Sequence, residues 1–153
     1  MGLDSYLYAH TFVSSLYGKE GEAEVFNSIK ELMQASPFIE EDQLYFAEAK
    51  IQVGYWRKFN ALHDYIIKNI ANGVDNCNPI EFTRHEITKL VSVLEEVNED
   101  NAAELFPTTS GFFFGSTDYD EYYFTQVNNA KQFFSNLLEN SPKNWTFTYQ
   151  ASW

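Results

Sequence analysis

Both ends of the chain read as β-strands, and no other feature constrains the fold as strongly. In GLDSYLYAHTFV, residues 2–13, Leu3, Ser5, Leu7 and Ala9 alternate with Asp4, Tyr6, Tyr8 and His10. In the closing NWTFTYQASW, Trp145, Phe147 and Tyr149 alternate with Thr146, Thr148 and Gln150. A period of two sends successive side chains to opposite faces of a pleated ribbon. A terminal strand without a partner would be a loose end, so the two are expected in one sheet.

Between them the pattern is mostly helical. From about Glu20 to Ala35, Val25, Phe26, Ile29, Leu32 and Met33 recur at helical spacing, and Pro37 ends the run. LYFAEAKIQV, residues 44–53, alternates Ala47, Ala49, Ile51 and Val53 with Phe46, Glu48, Lys50 and Gln52, as a half-buried strand does, and Gly54 closes it. A second helix is expected from Tyr55 to Ala71. A third is expected from Arg84 to Asn98, where Thr83 and Glu86 make a capping-box pattern ahead of the stripe Ile87, Leu90, Val91, Leu94 and Val97. NGVDNCNP is turn chemistry. The last helix is expected from Thr117 or Asp118, as N-cap, to about Glu139, with Tyr123, Val127, Ala130, Phe134 and Leu137 on its docking face.

Strands at both ends, one or two in the middle and four helices do not alternate as a doubly wound fold would. The fold class is therefore α+β: one domain over residues 1–153, an antiparallel or mixed sheet of about three to five strands with about four helices packed on it. A chain of 153 residues is long enough for one such core. No apolar run approaches the roughly 18 residues of a membrane span, so no membrane partner is expected. MGLDSYLYAH shows neither a basic region nor a cleavage site, and Tyr6 stands where a myristoylation signal wants Ser or Thr. The lone Cys77 cannot form an internal disulfide, which fits a reducing compartment.

The formal net charge is −12. Such a balance repels nucleic acid, so no direct nucleic-acid partner is expected. The acids are spread through EGEAE, IEEDQ, LEEVNED and DYDE, as a solvated surface would have them. A surface that offers carboxylates to a basic partner is the other reading.

Two segments hold the candidate site residues. In GFFFGSTDYDEYYF, residues 111–124, seven aromatic rings crowd into a turn and a helix start. The docking stripe absorbs Tyr123, and the core one of Phe112 and Phe113. Tyr119 and Tyr122 fall on a second face, where a ring with a polar handle suits a half-wet binding surface. In YWRKFNALHDYI, residues 55–66, helical spacing would align Trp56, Asn60 and His63, with Arg57 beside them near a helix N-terminus. An aromatic plate, a guanidinium, a carboxamide and an imidazole suit base stacking, phosphate pairing and ribose hydrogen bonds. Asn60 and His63 hydrogen-bonded inside the protein is the alternative. The ligand-binding candidates are Trp56, Arg57, Asn60, His63, Phe113, Ser116, Thr117, Tyr119, Asp120 and Tyr122, with both segments expected to face one cleft that a second subunit could complete.

Neither HExxH nor CxxC spacing occurs, so no zinc and no cofactor are expected. Ser116 lacks a nucleophile elbow, and Asp118, Asp120 and Glu121 lack an EF-hand spacing. His63 with Asp64 or Asp120 is the one acid–base pair a hydrolase could use.

MGLDSYLY, VGYWRKFNALHDYI, the turn DNC, LFPTTSGFFFGSTDYDEYYF and the closing YQASW, in that order, resemble a family of small, mostly uncharacterised proteins of bacteriophages and prophages. A glycolytic-kinase label that some members have carried finds no glycine-rich phosphate loop here. The resemblance implies an accessory viral protein in the host cell cytoplasm, where counter-defence is a common task. Three functions then compete. One is a sponge that sequesters a nucleotide-derived immune signal, such as an ADP-ribose derivative or a cyclic oligonucleotide. The second is an acidic inhibitor or nucleic-acid mimic aimed at a basic host defence protein, such as a CRISPR or restriction component. The third is a small nucleotide hydrolase using His63.

Overall fold

The computed structural model describes residues 2–14, 21–34 and 45–153. Pro37, Ala35, Glu20 and Leu44, expected to bound the first helix and the second strand, lie outside the described residues. In chain order the elements are β1 (Asp4–Ser14), α1 (Glu22–Gln34), β2 (Phe46–Arg57), α2 (Asn60–Asn69), β3 (Ile80–Glu81), α3 (Arg84–Glu96), α4 (Ala102–Leu105), α5 (Glu121–Asn140) and β4 (Thr146–Ser152). The strands form one antiparallel sheet in the order β2-β1-β4-β3, an α+β fold. The two terminal strands are thus neighbours in the middle of the sheet.

Contacts divide the chain into two units. The smaller, His10–Ile51, holds the outer parts of β1 and β2 together with α1. Phe26 and Val13 are buried in it, and the Phe12 and Phe46 rings meet edge to face at 6.3 Å. The larger unit, Met1–Ala9 with Gln52–Trp153, contains every candidate site residue.

In that larger unit the alternation of β1 is realised: Leu3, Ser5, Leu7 and Ala9 are buried while Asp4, Tyr6 and Tyr8 are half-buried. The core joins Leu3 and Leu7 to Phe147 and Tyr149 of β4, to Leu62 and Ile66 of α2, to Ile87 and Leu90 of α3 and to Val127, Ala130 and Phe134 of α5. Apolar area removed from water at this interface is the main stabilising term. The capping box of α3 forms: Thr83 Oγ1 accepts from the Glu86 amide at 3.3 Å, and the Glu86 carboxylate accepts from the Thr83 amide at 2.7 Å. β3 is only two residues long, with Ile80 opposite Tyr149 and Glu81 opposite Thr148.

Three boundaries differ from expectation. Residues 55–57 do not open a helix; they finish β2, and α2 begins at Asn60. The physical reason is Trp56, whose indole stacks on Phe134 at 5.3 Å and 14° and meets Phe133 edge-on at 5.2 Å. That seat holds the strand extended along the core. Arg57, the next residue, faces Asp4 at 3.9 Å. Asp120, not Thr117 or Asp118, caps α5, with its Oδ1 accepting from the Tyr123 amide at 2.9 Å. The four-residue α4 carries too little periodicity to be read in advance.

Gly54 makes room for this arrangement. A Cβ there would lie 2.6 Å from Trp56 Cη2 and 3.0 Å from Phe133 Cζ. Gly54→Ala is therefore expected to push the indole off its seat and cost about 1–3 kcal/mol, the usual range for overpacking. Chemical denaturation reads the cost directly. Unchanged stability would mean that Trp56 can leave Phe134 freely.

Candidate functional site

The chain reverses between β2 and α2 at Lys58, which takes a left-handed φ of 55°. Its amide donates to Leu3 O at 2.7 Å. Against it lies Gly115, φ 92°, where a Cβ would stand 3.0 Å from Lys58 Cβ. Position 115 needs glycine on both counts, conformation and close approach. The loop between α4 and α5 is thereby drawn onto the start of α2.

Asn60 fastens that loop. Its Nδ2 donates to Phe114 O at 3.1 Å and Ser116 O at 2.8 Å, and its Oδ1 accepts from the Thr109 amide at 3.1 Å. All three bonds reach 49 to 56 residues along the chain, and Asn60 is 3% exposed. The carboxamide is spent on the fold, so Asn60 shapes the cleft. Thr108 Oγ1 adds a second tie to Thr117 O at 2.9 Å, and the Thr108 amide donates to the Tyr119 hydroxyl at 3.2 Å.

The result is a cleft of about 150 Å3 lined by Lys58, Asn60, Ser116, Asp118, Asp120, Tyr122 and Gln126, among others. Helix α2 opens into it with Phe59 as N-cap, which has no side-chain cap bond. Phe59, Asn60 and Ala61 at its first turn are among the residues that line it. The acids are partly engaged: Asp118 Oδ2 accepts from Ser116 Oγ at 2.9 Å. A groove of about 500 Å3 adjoins it, lined by Gly54, Trp56, Arg57, Asn129 and Phe133 and sharing Tyr122 and Gln126 with the cleft. Gln126 Nε2 donates to the Tyr122 hydroxyl at 3.0 Å and holds that ring, which is 59% exposed, between the two.

The two segments singled out in the sequence do face one cleft, though not with every residue named. Asn60, Ser116, Asp120 and Tyr122 line it. Trp56 and Arg57 lie in the groove. Tyr119 and Asp120 share a further concavity with Glu99, Glu121 and Phe124. Thr117 gives its carbonyl to Thr108, and Phe113 accepts from the Leu3 amide at 2.9 Å while its ring meets Phe112. Lys58, Asp118 and Gln126 are cleft residues that the sequence reading did not choose. The pair of turn glycines around GFFFG was the available clue to Gly115, and through it to Lys58.

His63 is elsewhere. It is 1% exposed, with Nδ1 2.9 Å from the Tyr149 hydroxyl and Nε2 3.0 Å from Asp75 Oδ2. A carboxylate only accepts, so Nε2 carries the proton of the second bond. Tyr149 continues to Ser5 Oγ at 2.8 Å, and Asp75 Oδ1 accepts from Trp153 Nε1 at 3.2 Å. His63 borders a space of only about 10 Å3, separate from the cleft that Asp120 lines. Asp64 pairs instead with Lys68 at 2.7 Å. Among the described residues no group of three or more His, Cys, Asp or Glu is placed to hold a metal ion, and no helix is long and apolar enough to cross a membrane.

Comparison of the chain with models of known families, with curated proteins and with solved structures gives no match in any of the three. The site is therefore read from its own geometry.

Asn60→Asp is expected to destabilise more than Asn60→Ala. The carboxylate would set negative oxygen against the Phe114 and Ser116 carbonyls, whereas alanine only leaves them unpaired, at about 2 kcal/mol or more. Thermal melting of both variants measures the order, and equal melting temperatures would contradict the latch.

Alkaline titration tests the buried hydroxyls. Burial pushes the Tyr149 phenol up, opposed by its bond to Ser5 and reinforced by Asp75, and burial with Tyr119 nearby does the same to Tyr123. A raised folded pKa means that the native state keeps protons the unfolded chain releases above about pH 10. Stability from these two groups is complete below that pH and is lost as pH climbs toward their folded values. Tyr149→Phe should remove about one proton from the slope of stability against pH above 10. An unaltered slope would overturn the assignment.

Proposed function

We propose that the protein binds a nucleotide-type small molecule across the cleft and the adjoining groove and holds it without turning it over. One observation carries this reading: the two concavities meet at Tyr122 and Gln126. The cleft alone, at about 150 Å3, is smaller than the roughly 300–1,000 Å3 of small-molecule sites, whereas the groove it joins, at about 500 Å3, lies within that range.

The chemistry of the lining supports the same ligand class. Tyr122 offers a ring face at the junction, suited to a base. Asn129 offers a carboxamide and Gln126, whose Nε2 already donates to Tyr122 and Arg57, its carboxamide oxygen to a base edge. Asp118 and Asp120 each keep an oxygen that can accept from sugar hydroxyls. Lys58 and, in the groove, Arg57 offer positive partners for phosphate in an otherwise acidic chain. Retention without turnover is favoured because His63 and Asp120 border different spaces, so the acid–base pair a hydrolase would need is not assembled at the ligand.

In the phage setting that the sequence resemblance implies, such a protein is a sponge: an accessory counter-defence product that lowers the free concentration of a nucleotide-derived immune signal, an ADP-ribose derivative or a cyclic oligonucleotide, in the host cytoplasm.

Calorimetry against ADP-ribose derivatives and cyclic oligonucleotides, followed by denaturation and recovery of the ligand, tests the proposal. One ligand class is expected to bind and to be recovered intact. Tyr122→Ala should cost about 1 kcal/mol or more and Tyr122→Phe less, because the ring rather than the hydroxyl carries the contact. Arg57→Ala should cost about 1 kcal/mol, since Arg57 is more than half exposed and already faces Asp4. Absence of binding, or recovery of a chemically altered ligand, would contradict the reading.

A further inference from the structure

Phe114 stands where the hydrogen-bonded line through His63 meets the wall of the cleft. Its carbonyl accepts from Asn60 Nδ2 at 3.1 Å, and the two residues that follow it, Gly115 and Ser116, line the cleft. Its ring meets the His63 imidazole edge to face at 5.5 Å and 89°, and the Trp153 indole at 6.0 Å and 69°. The same ring covers Gly111, where a Cβ would lie 2.6 Å from Phe114 Cγ, and the Phe114 amide donates to Gly111 O at 3.1 Å. One residue thus joins the backbone of the cleft wall to the aromatic side of the His63 line.

The two rings that hold Phe114 are not equally fixed. His63 is 1% exposed and is bonded at both nitrogens, to Tyr149 and to Asp75. Trp153 is 44% exposed, and its indole donates at 3.2 Å to Asp75, whose side chain is itself 27% exposed. Water can replace that bond at little cost, whereas the buried bonds of His63 have no such substitute. Phe114 is therefore held between one fixed wall and one that can open from the solvent side.

We propose that Trp153 is a strap that sets the cleft from outside it. Closed on Asp75, it keeps Phe114 against His63 and so holds the 114–116 backbone within reach of Asn60. Released, it lets the Phe114 ring leave, and the Asn60 latch loosens with it. Trp153 lines neither the cleft nor the groove, so it is a positioning residue that acts through Phe114. Its part in holding a ligand rests on the nucleotide reading, but the coupling between strap and latch does not. A ligand in contact with Ser116 favours the closed arrangement, and by linkage the strap is firmer when the ligand is in place.

Amide hydrogen exchange of the unliganded protein tests the coupling. The Thr109 amide, bonded to Asn60 Oδ1 at 3.1 Å, reports the latch, and the Phe82 amide, bonded to Phe147 O at 3.0 Å, reports the sheet. Trp153→Ala should speed exchange at Thr109 about fivefold, the worth of an aromatic edge contact, and leave Phe82 unchanged. Trp153→Phe, which keeps a ring and loses the indole N–H, should fall between the two. Phe114→Leu should speed Thr109 as Trp153→Ala does, and combining them should add little, because both act through one ring. Saturating ADP-ribose should slow Thr109 in the wild type and in Trp153→Ala alike. Equal acceleration at Thr109 and Phe82, no acceleration at Thr109, or additive effects of the two substitutions would overturn the strap. If ADP-ribose slows neither protein, the nucleotide reading fails, while the rates of the unliganded variants still decide the strap.

Discussion

A single line of hydrogen bonds, buried at its inner end and open at Trp153, fastens the larger unit. It runs from the Trp153 indole to Asp75, from Asp75 to His63, from His63 to the Tyr149 hydroxyl and from there to Ser5. These five residues come from the C-terminus, the turn after α2, α2 itself, β4 and β1. The polar atoms of Ser5, His63 and Tyr149 would be expensive to bury alone, and together they satisfy one another. The apolar core supplies most of the free energy, but area burial is indifferent to register. The line of polar groups is selective: Tyr149 reaches both Ser5 and His63 only if β1 and β4 are neighbours in this register. The C-terminal strand and the N-terminal strand are thereby locked in the centre of the sheet, and α2 is set down on them.

The cleft inherits its shape from that placement. With α2 fixed, Asn60 stands at its first turn and captures the loop ahead of α5, and the left-handed pair Lys58 and Gly115 closes the two backbones together. A left-handed lysine is uncommon and persists where its surroundings hold it. Here that conformation sets Lys58 in the lining of a cleft beside a helix start that has no side-chain cap. Asp118 and Asp120 line the same cleft.

The parts of this arrangement that were legible in the sequence are those set by local periodicity. The alternation in GLDSYLYAH and NWTFTYQASW, the capping box at Thr83 and the stripe from Tyr123 to Phe134 each follow from pleat or helix geometry within a few residues. Trp56, Asn60 and His63 show the limit of that reasoning. Their spacing fits a helix face, yet Trp56 belongs to a strand because its partners, Phe133 and Phe134, lie far along the chain. Asn60 and His63 are buried polar residues whose partners are 12 to 86 residues away, so no local pattern could say whether they serve a ligand or the fold. Lys58 was hidden for a different reason: its role comes from a backbone dihedral that lysine does not advertise. β3, two residues long, exists only as the register partner of Tyr149 and Thr148.

The central claim is that the cleft and the groove act as one site, with Tyr122 and Gln126 at the junction. Amide and side-chain chemical shifts followed while ADP-ribose is titrated into the labelled protein test it most directly. The account predicts that the resonances of Lys58, Ser116, Tyr122, Gln126 and Asn129 move together along one saturation curve. A response confined to one side of Tyr122, or a response centred on the Glu99 and Phe124 surface with the cleft silent, would contradict it.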